Sequence, residues 1–194
     1  MNELKLIENI RRYVNLNDEE AQTFISFWTE RNLSKGEYLL RNGEICRFDT
    51  YVASGALKAY FINAQSGKEE MLFFAIDDWW ASDLVSFSTQ KPSIYSIQAI
   101  EHSTILQIGY QSFQEMLKKL PVMERYFRII LERYLGSLQK RIIYNQAYDA
   151  RFRYQDFIET YPEIAAKVPQ YLIASYLGVS AEFISRIRRG KKGS

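Results

Sequence analysis

The residues best equipped for chemistry lie near the C-terminal end. The segment Gln170-Tyr171-Leu172-Ile173-Ala174-Ser175-Tyr176-Leu177 is followed by Gly178 and Val179. It continues as Ser180-Ala181-Glu182-Phe183-Ile184-Ser185-Arg186-Ile187-Arg188-Arg189. Apolar residues recur at helical spacing on both sides of one glycine, which predicts a helix over about 170–177, a tight turn at Gly178 and a second helix opened by Ser180. The Ser180 hydroxyl can cap that second helix. Ala174 is small where two helices cross closely, and Val179, Ile184 and Ile187 can fill the wedge between them. A pair of this geometry lays the N-terminal part of its second helix in the major groove of a DNA duplex. The outward side chains are Ser180, Ala181, Glu182, Ser185, Arg186 and Arg189. Arginine can bond guanine bidentately, and Glu182 can accept from cytosine. The Arg188-Arg189-Gly190-Lys191-Lys192 end suits phosphates, which bind without reading sequence, and Gln170 and Tyr171 are further backbone contacts.

Charge distribution agrees with a nucleic-acid partner for this part of the chain only. From Arg141 onward there are nine basic and five acidic residues, a local net of +4, whereas the whole chain carries +2 and the remainder therefore −2. Catalytic and metal chemistry find little support. His102 is the only histidine and Cys46 the only cysteine, so an intramolecular disulfide is impossible and the single histidine weakens any nucleophile–histidine or histidine–metal reading. No catalytic residue and no metal site is expected. Cys46 reads as a small packing residue, with a redox-sensing thiol as the alternative, and His102 as a solvated edge residue. No stretch approaches the ~20 apolar residues that cross a bilayer, and the acidic start of the chain does not resemble a signal peptide. The expected location is the cytoplasm, with no membrane partner.

These side chains need elements to position them. The 194 residues are 47% apolar, enough to bury a core. The first 35 residues read as helical. Leu4, Ile7, Ile10 and Val14 share one face, and Asn17 with Glu20 forms a capping-box pattern. Phe24, Ile25, Phe27 and Trp28 give the second helix an apolar stripe. Between Lys35 and Gly109 the pattern changes to strands at 38–40, 51–53, 57–62, 71–74, 94–100 and 104–108, separated by turns marked by Gly43, Gly55 and Gly67. Short strands at near-regular spacing imply a barrel, jelly roll or β-roll and argue against a parallel α/β sheet. Helix returns from about Ser112. After Pro121 a long helix runs to about Asn145, with Phe127, Leu131, Tyr134, Leu138 and Ile142 spaced as in a coiled-coil seam. Ile129, Ile130, Leu135 and Ile143 lie off that seam, so the helix has a second face to bury. A dimer hinge fits this pattern; packing within one subunit is the alternative.

Taken together, the chain resembles the Crp/Fnr family of bacterial transcription regulators over nearly its whole length. Gly43, Gly55 and Gly67 match the family's glycine-marked turns, and Tyr110-Gln111-Ser112-Phe113 with Pro121 is similar to its approach to the dimer helix. Glu182 and Arg186 match the recognition-helix pattern, while Ala181 stands where the family often has arginine, which implies a different operator. The resemblance implies an α+β fold: an N-terminal double-stranded, jelly-roll-like β-roll over 1–118, a dimerisation helix over 119–147, and a helix-turn-helix domain over 148–194. That domain would be winged-helix-like, with the wing short or absent.

In the effector pocket the match breaks down. Ala81 and Ser82 stand where the family's Gly and Glu belong, a one-residue slip offers Asp83 as the acid, and Ser93-Ile94 falls at the arginine position with only Lys91 near. The mid-helix pair that meets the base in some members would be Leu138-Gln139. Without arginine the cyclic phosphate lacks its charge-assisted partner, so cyclic AMP is not expected to bind in the usual way. Trp79, Trp80, Phe87 and Tyr95 could line an aromatic pocket, but packing in the core is preferred. The Fnr branch's iron–sulfur cluster needs several cysteines and is not expected. No cofactor is called for, and the effector is left open. The expected function is an effector-gated transcription regulator that binds double-stranded DNA as a homodimer, with RNA polymerase as a further candidate partner. The alternatives are a constitutive DNA-binding dimer with the roll as scaffold, or a cyclic-nucleotide sensor with an atypical pocket. A cupin-like metalloenzyme would draw on several histidines where His102 stands alone, and a stand-alone nucleotide sensor leaves the basic C-terminal segment unexplained.

Overall fold

The computed structural model describes residues 1–190. Two helices, α1 (Asn2–Arg11) and α2 (Asp18–Ile25), lead into eight antiparallel strands. These are β1 (Thr29–Leu33), β2 (Tyr38–Leu40), β3 (Phe48–Ser54), β4 (Ala56–Ile62), β5 (Glu69–Ile76), β6 (Trp79–Trp80), β7 (Ser96–Ala99) and β8 (Ser103–Gly109). They form two four-stranded sheets, in the orders β1-β8-β3-β6 and β2-β7-β4-β5. A short helix, α3 (Leu84–Thr89), bridges β6 and β7. After the roll come α4 (Tyr110–Lys119), the long α5 (Val122–Ala147), α6 (Ala150–Thr160), α7 (Pro162–Lys167), α8 (Gln170–Leu177) and α9 (Ala181–Gly190).

Alternation along the strands explains how the layers assemble. Val52, Leu57, Ala59, Ala75, Ile97 and Ile105 point between the sheets. Their neighbours Tyr51, Ala53, Leu106 and Ile108 point out of the first sheet, against Leu6, Ile10, Phe24 and Trp28 of the N-terminal segment and Met116, Met123 and Tyr126 of α4 and α5. Tyr60, Met71, Phe74 and Ile76 leave the second sheet on its outer side and meet Phe157, Ile173, Ala174 and Leu177 of the C-terminal helices. Strands buried on both faces read as continuous apolar runs, which is the form the sequence shows. Gly43, Gly55 and Gly67 all take positive φ. At Gly55 a Cβ would also sit 2.2 Å from Ser103 Oγ, so only glycine fits there.

The capping box at α2 forms as expected: Asn17 Oδ1 accepts from the Glu20 amide at 2.9 Å and Glu20 Oε2 from the Asn17 amide at 2.9 Å. The helical expectation for the first 35 residues fails beyond it. The second helix stops at Ile25, so Phe27 and Trp28 lie outside it, and Thr29–Leu33 is an edge strand paired with β8 from Thr29↔Gln107 to Leu33↔Ser103. Thr-Glu-Arg-Asn carries no apolar alternation, and only the tertiary pairing makes it a strand. Two more elements were unforeseen, the two-residue β6 and α3. His102 is exposed, directly before β8.

A buried polar network ties α1, the roll and α5 together. Asn9, 5% exposed, donates through Nδ2 to Asp78 Oδ1 at 2.8 Å and to the Asp78 carbonyl at 3.2 Å. Its Oδ1 accepts from the Tyr126 hydroxyl at 2.6 Å, and Trp80 Nε1 donates to that same hydroxyl at 3.1 Å. Tyr51 donates to Asp78 at 2.6 Å, and Arg12 pairs with the other carboxylate oxygen. Burial pushes the Asp78 carboxyl up, but the bonds from Tyr51, Asn9 and Arg12 outweigh it and hold it below the usual range. Replacing Asn9→Ala leaves Tyr126 without its acceptor and Asp78 short of a donor. The expected cost is about 2–3 kcal/mol, read as a lower urea midpoint. An unchanged midpoint would show that the network does not hold α1 to the roll.

A second buried acid behaves differently. Asp49 accepts from Ser82 Oγ at 2.5 Å and from the Thr50 amide at 3.0 Å, both through Oδ1. Burial pushes it up to about 6, against the pull of those two bonds. The folded protein thus keeps this proton to higher pH than the unfolded chain does. The contribution of this group to stability is fullest below about pH 4 and is lost as pH rises through about 6. The loss is on the order of 3 kcal/mol. Asp49→Asn retains the Oδ1 acceptor and should flatten the dependence of the thermal midpoint on pH across that window; an unaltered profile would assign the slope elsewhere.

Candidate nucleic-acid interface

The helix pair is built by local chemistry. Gly178 closes α8 in the left-handed region, at φ 67 and ψ 35, and the Val179 amide returns to the Ala174 carbonyl at 3.0 Å. Ser180 Oγ accepts from the Phe183 amide at 3.1 Å, which caps α9. Leu172, Ile173, Ala174, Leu177, Ile184 and Ile187 are buried between the helices and their supports, with Val179 packed at the margin. The opposite face of α9 is open: Ser180, Ala181, Glu182, Ser185, Arg186, Arg188 and Arg189 are all exposed. Its own backbone amide, then the Ser180 hydroxyl, hold the Glu182 carboxyl below its ordinary value. Arg189 reaches Ser185 Oγ at 3.3 Å, and Arg186 lies 5.9 Å from the Phe183 ring centroid. Tyr171 is exposed as expected, while Gln170 is half-buried and accepts from the Tyr154 hydroxyl at 3.3 Å. Lys191, Lys192 and the expectation of a short wing lie outside the described residues.

Not every basic residue from Arg141 onward is free to meet a phosphate. Lys167 pairs with Asp77 at 2.6 Å, and Arg141 donates to backbone carbonyls. Internal partners of this kind leave no trace in a count of charges. The arginines on the open face of α9 form no ion pair among the described residues and keep their charge for an outside partner.

The five residues of the expected seam on α5 do not share one environment. Phe127 packs within the subunit, its ring 4.9 Å from Phe113 and 5.3 Å from Trp80. Tyr134 is partly exposed but stands edge-on to Phe73 at 6.5 Å. Leu131 and Ile142 are exposed and Leu138 half-buried, and Leu135, expected off the seam, is exposed beside them. The open stripe is therefore Leu131, Leu135, Leu138 and Ile142, at spacings of four, three and four. The roll, whose position no helical pattern reports, claims the Phe127 side.

The residues expected around the effector pocket are brought near one another but bond among themselves. Asp83, 4% exposed, caps α3 by accepting from the Val85 and Ser86 amides at 3.1 and 3.0 Å. Its other oxygen accepts from Ser93 Oγ at 2.6 Å. The slipped acid and the residue at the arginine position thus satisfy each other. Ser82 donates to Asp49, and Tyr95 donates through its hydroxyl to the Ser82 carbonyl at 3.3 Å, with its ring edge-on to Phe73 at 6.2 Å. Ala81 is fully buried, while Lys91 and Ile94 face solvent. Trp80 is a correction: it packs on the outer side of the first sheet with Trp28, Tyr51 and Tyr126. Gln139 is exposed on α5. Of the four aromatic residues considered as a pocket, Trp79 stands against Tyr161, while Phe87, in contact with Tyr110 and Phe113, and Tyr95 belong to the core between the sheets. Burial pushes the Cys46 thiol up to about 11, the opposite of what a reactive thiolate needs. Among the described residues no group of histidine, cysteine or acid side chains could hold a metal ion, and no helix is long and apolar enough to cross a membrane.

Sequence reasoning passed over Asn9, Asp49, Arg141 and Ser175. An asparagine on an otherwise apolar face of α1 was a visible signal; the others acquire partners only in the folded chain.

Residues 30–120 match the family described as the cyclic nucleotide-binding domain. The transcriptional activator protein Anr of Pseudomonas aeruginosa is 27% identical over 172 residues, covering 81% of this chain and 68% of that protein. The fumarate and nitrate reduction regulatory protein of Vibrio cholerae is 25% identical over 173 residues, covering 81% and 66%. The fold is similar to that of a CooA variant from Carboxydothermus hydrogenoformans, with a TM-score of 0.69, 22% identity, and 88% of this chain and 78% of that one covered. The relatives are transcription regulators and not enzymes. With a roll matched by this domain family, a long helix and a closely packed pair of C-terminal helices, the chain is similar along most of its length to transcription regulators of the Crp/Fnr family.

Proposed function

We propose that this protein is a sequence-specific DNA-binding transcription regulator that acts as a homodimer, with a β-roll that does not take cyclic AMP in the family's usual way. The observation that carries the DNA reading is the two-sidedness of α9. Ile184 and Ile187 anchor one side, while Glu182, Ser185, Arg186 and Arg189 stand free on the other. A helix so held can enter a major groove without unpacking. Dimerisation is supported by exposed Leu131, Leu135 and Ile142 with half-buried Leu138, a heptad-like stripe that a second copy of α5 would bury.

For the roll, the reading rests on Asp83 and Ser93. A cyclic phosphate needs a cation, and both groups near its place are already satisfied, with Lys91 turned to solvent. The same pairing favours a second reading, in which the roll is a scaffold that responds to no effector and DNA binding is constitutive.

Two experiments test these readings. Affinity for a mixed-sequence duplex should fall steeply with salt. The combined substitution of Arg186, Arg188 and Arg189 by alanine should reduce the slope of log affinity against log salt by roughly 0.9 for each phosphate no longer neutralised. A wild-type slope near zero would refute DNA binding. Thermal unfolding with millimolar cyclic AMP or cyclic GMP should show no shift in midpoint. A ligand at about a hundred times its dissociation constant would add about 2.7 kcal/mol, and a rise of several degrees would establish a nucleotide sensor with an atypical pocket.

A further inference from the structure

The β5 strand ends its sheet, so its outward backbone groups have no strand to bond. The C-terminal helices supply the partners. Ser175 of α8 accepts through its hydroxyl from the Met71 amide at 3.3 Å and donates to the Glu69 carbonyl at 3.2 Å. The β4–β5 register passes from Ala59↔Phe73 to Tyr60↔Met71, leaving Leu72 as the extra residue of a bulge. Arg141 of α5 donates to the Leu72 carbonyl at 2.6 Å and to the Met71 carbonyl at 3.1 Å. The same guanidinium donates to the Tyr176 carbonyl of α8 at 3.2 Å and lies 4.1 Å from the centroid of the Tyr176 ring. One side chain of the long helix therefore bonds the roll and the helix-turn-helix together. Arg141 forms no ion pair among the described residues, so its charge is met by carbonyl dipoles and a ring face. A planar, five-donor fork can serve three carbonyls at once, and an ammonium on a flexible stem cannot do so equally well.

We infer that Arg141 and Ser175 are positioning residues for DNA binding: they lock α8 onto the β5 edge and so set where α9 presents its open face. This rests on the DNA-binding reading above. The lock leaves that face uncovered, so it orients the reading helix and does not block it. In a dimer each recognition helix must meet its half-site at a spacing set by geometry, and a helix pair free to swing loses affinity even with every base-reading residue in place.

The test uses the full chain as wild type, Arg141→Ala, Arg141→Lys and Ser175→Ala. Hydrogen exchange reports the lock without DNA: the Met71 amide should exchange faster in Arg141→Ala and Ser175→Ala, while amides of the central β4–β7 pairing stay protected and show the roll intact. Against a mixed-sequence duplex, Arg141→Ala should bind about tenfold more weakly, within the ordinary range of coupling between sites. Its salt slope should be unchanged, because Arg141 itself meets no phosphate, and Arg141→Lys should recover part of the loss. Unaltered exchange at Met71, or equal or tighter DNA binding by Arg141→Ala, overturns the inference while the DNA reading stands. A slope lower by about 1 also overturns it, since Arg141 would then be a phosphate contact. Failure of the wild type to bind duplex removes the DNA reading and this inference with it.

Discussion

Asn9 is a small polar side chain in a place built for an apolar one, and the arrangement of the roll against its helices depends on it. Its amide is saturated by Asp78 on one side and Tyr126 on the other, so α1, the turn between β5 and β6, and α5 meet at one residue. Apolar burial is non-directional and would tolerate the long helix rotated or shifted along the sheet. Buried hydrogen bonds would not, because each group displaced from its partner loses its compensation for leaving water. The aromatic side chains around this point, Trp28, Trp80, Tyr126 and Phe127, supply the area, and the network supplies the register.

The two sheets share a modest interior, and each is covered outside by a different set of helices. The first sheet carries α1, α2 and the beginning of α5; the second carries the C-terminal helices. Its outer face joins a single apolar cluster that runs from Phe74 and Met71 through Phe157 to Leu177 and Ile187. The helix that presents basic residues to solvent is thus continuous, through packed side chains, with a strand of the roll. Movement of one against the other has to break packed side-chain contacts and edge-strand bonds together.

Inside the roll, polar groups have settled their needs locally. Asp83 serves an amide pair and a serine, and Asp49 a serine and an amide. Neither acid pairs with a cation among the described residues. An acid of this kind shapes a loop and caps a helix; it has one oxygen edge fewer to offer a ligand.

Much was legible in the residues themselves. The strands of the roll's two central pairings, the α2 capping box, the turn at Gly178, the Ser180 cap and the apolar side of α9 all follow from short-range patterns, because caps, turns and periodicity are settled within a few residues of chain. The roles of Asp83, Trp80 and Phe127 were not. An aspartate before Leu-Val-Ser can cap a helix or hold a ligand, and the choice depends on Ser93, ten residues away. The Thr29–Leu33 strand, the division of the α5 stripe and the bond from Arg141 to the Leu72 bulge depend on which distant surface arrives alongside. The chain by itself determined its local elements and the chemistry available to them. Only the tertiary structure decided which polar groups would be spent on one another and which would be left facing solvent, because that depends on long-range partners that no local spacing records.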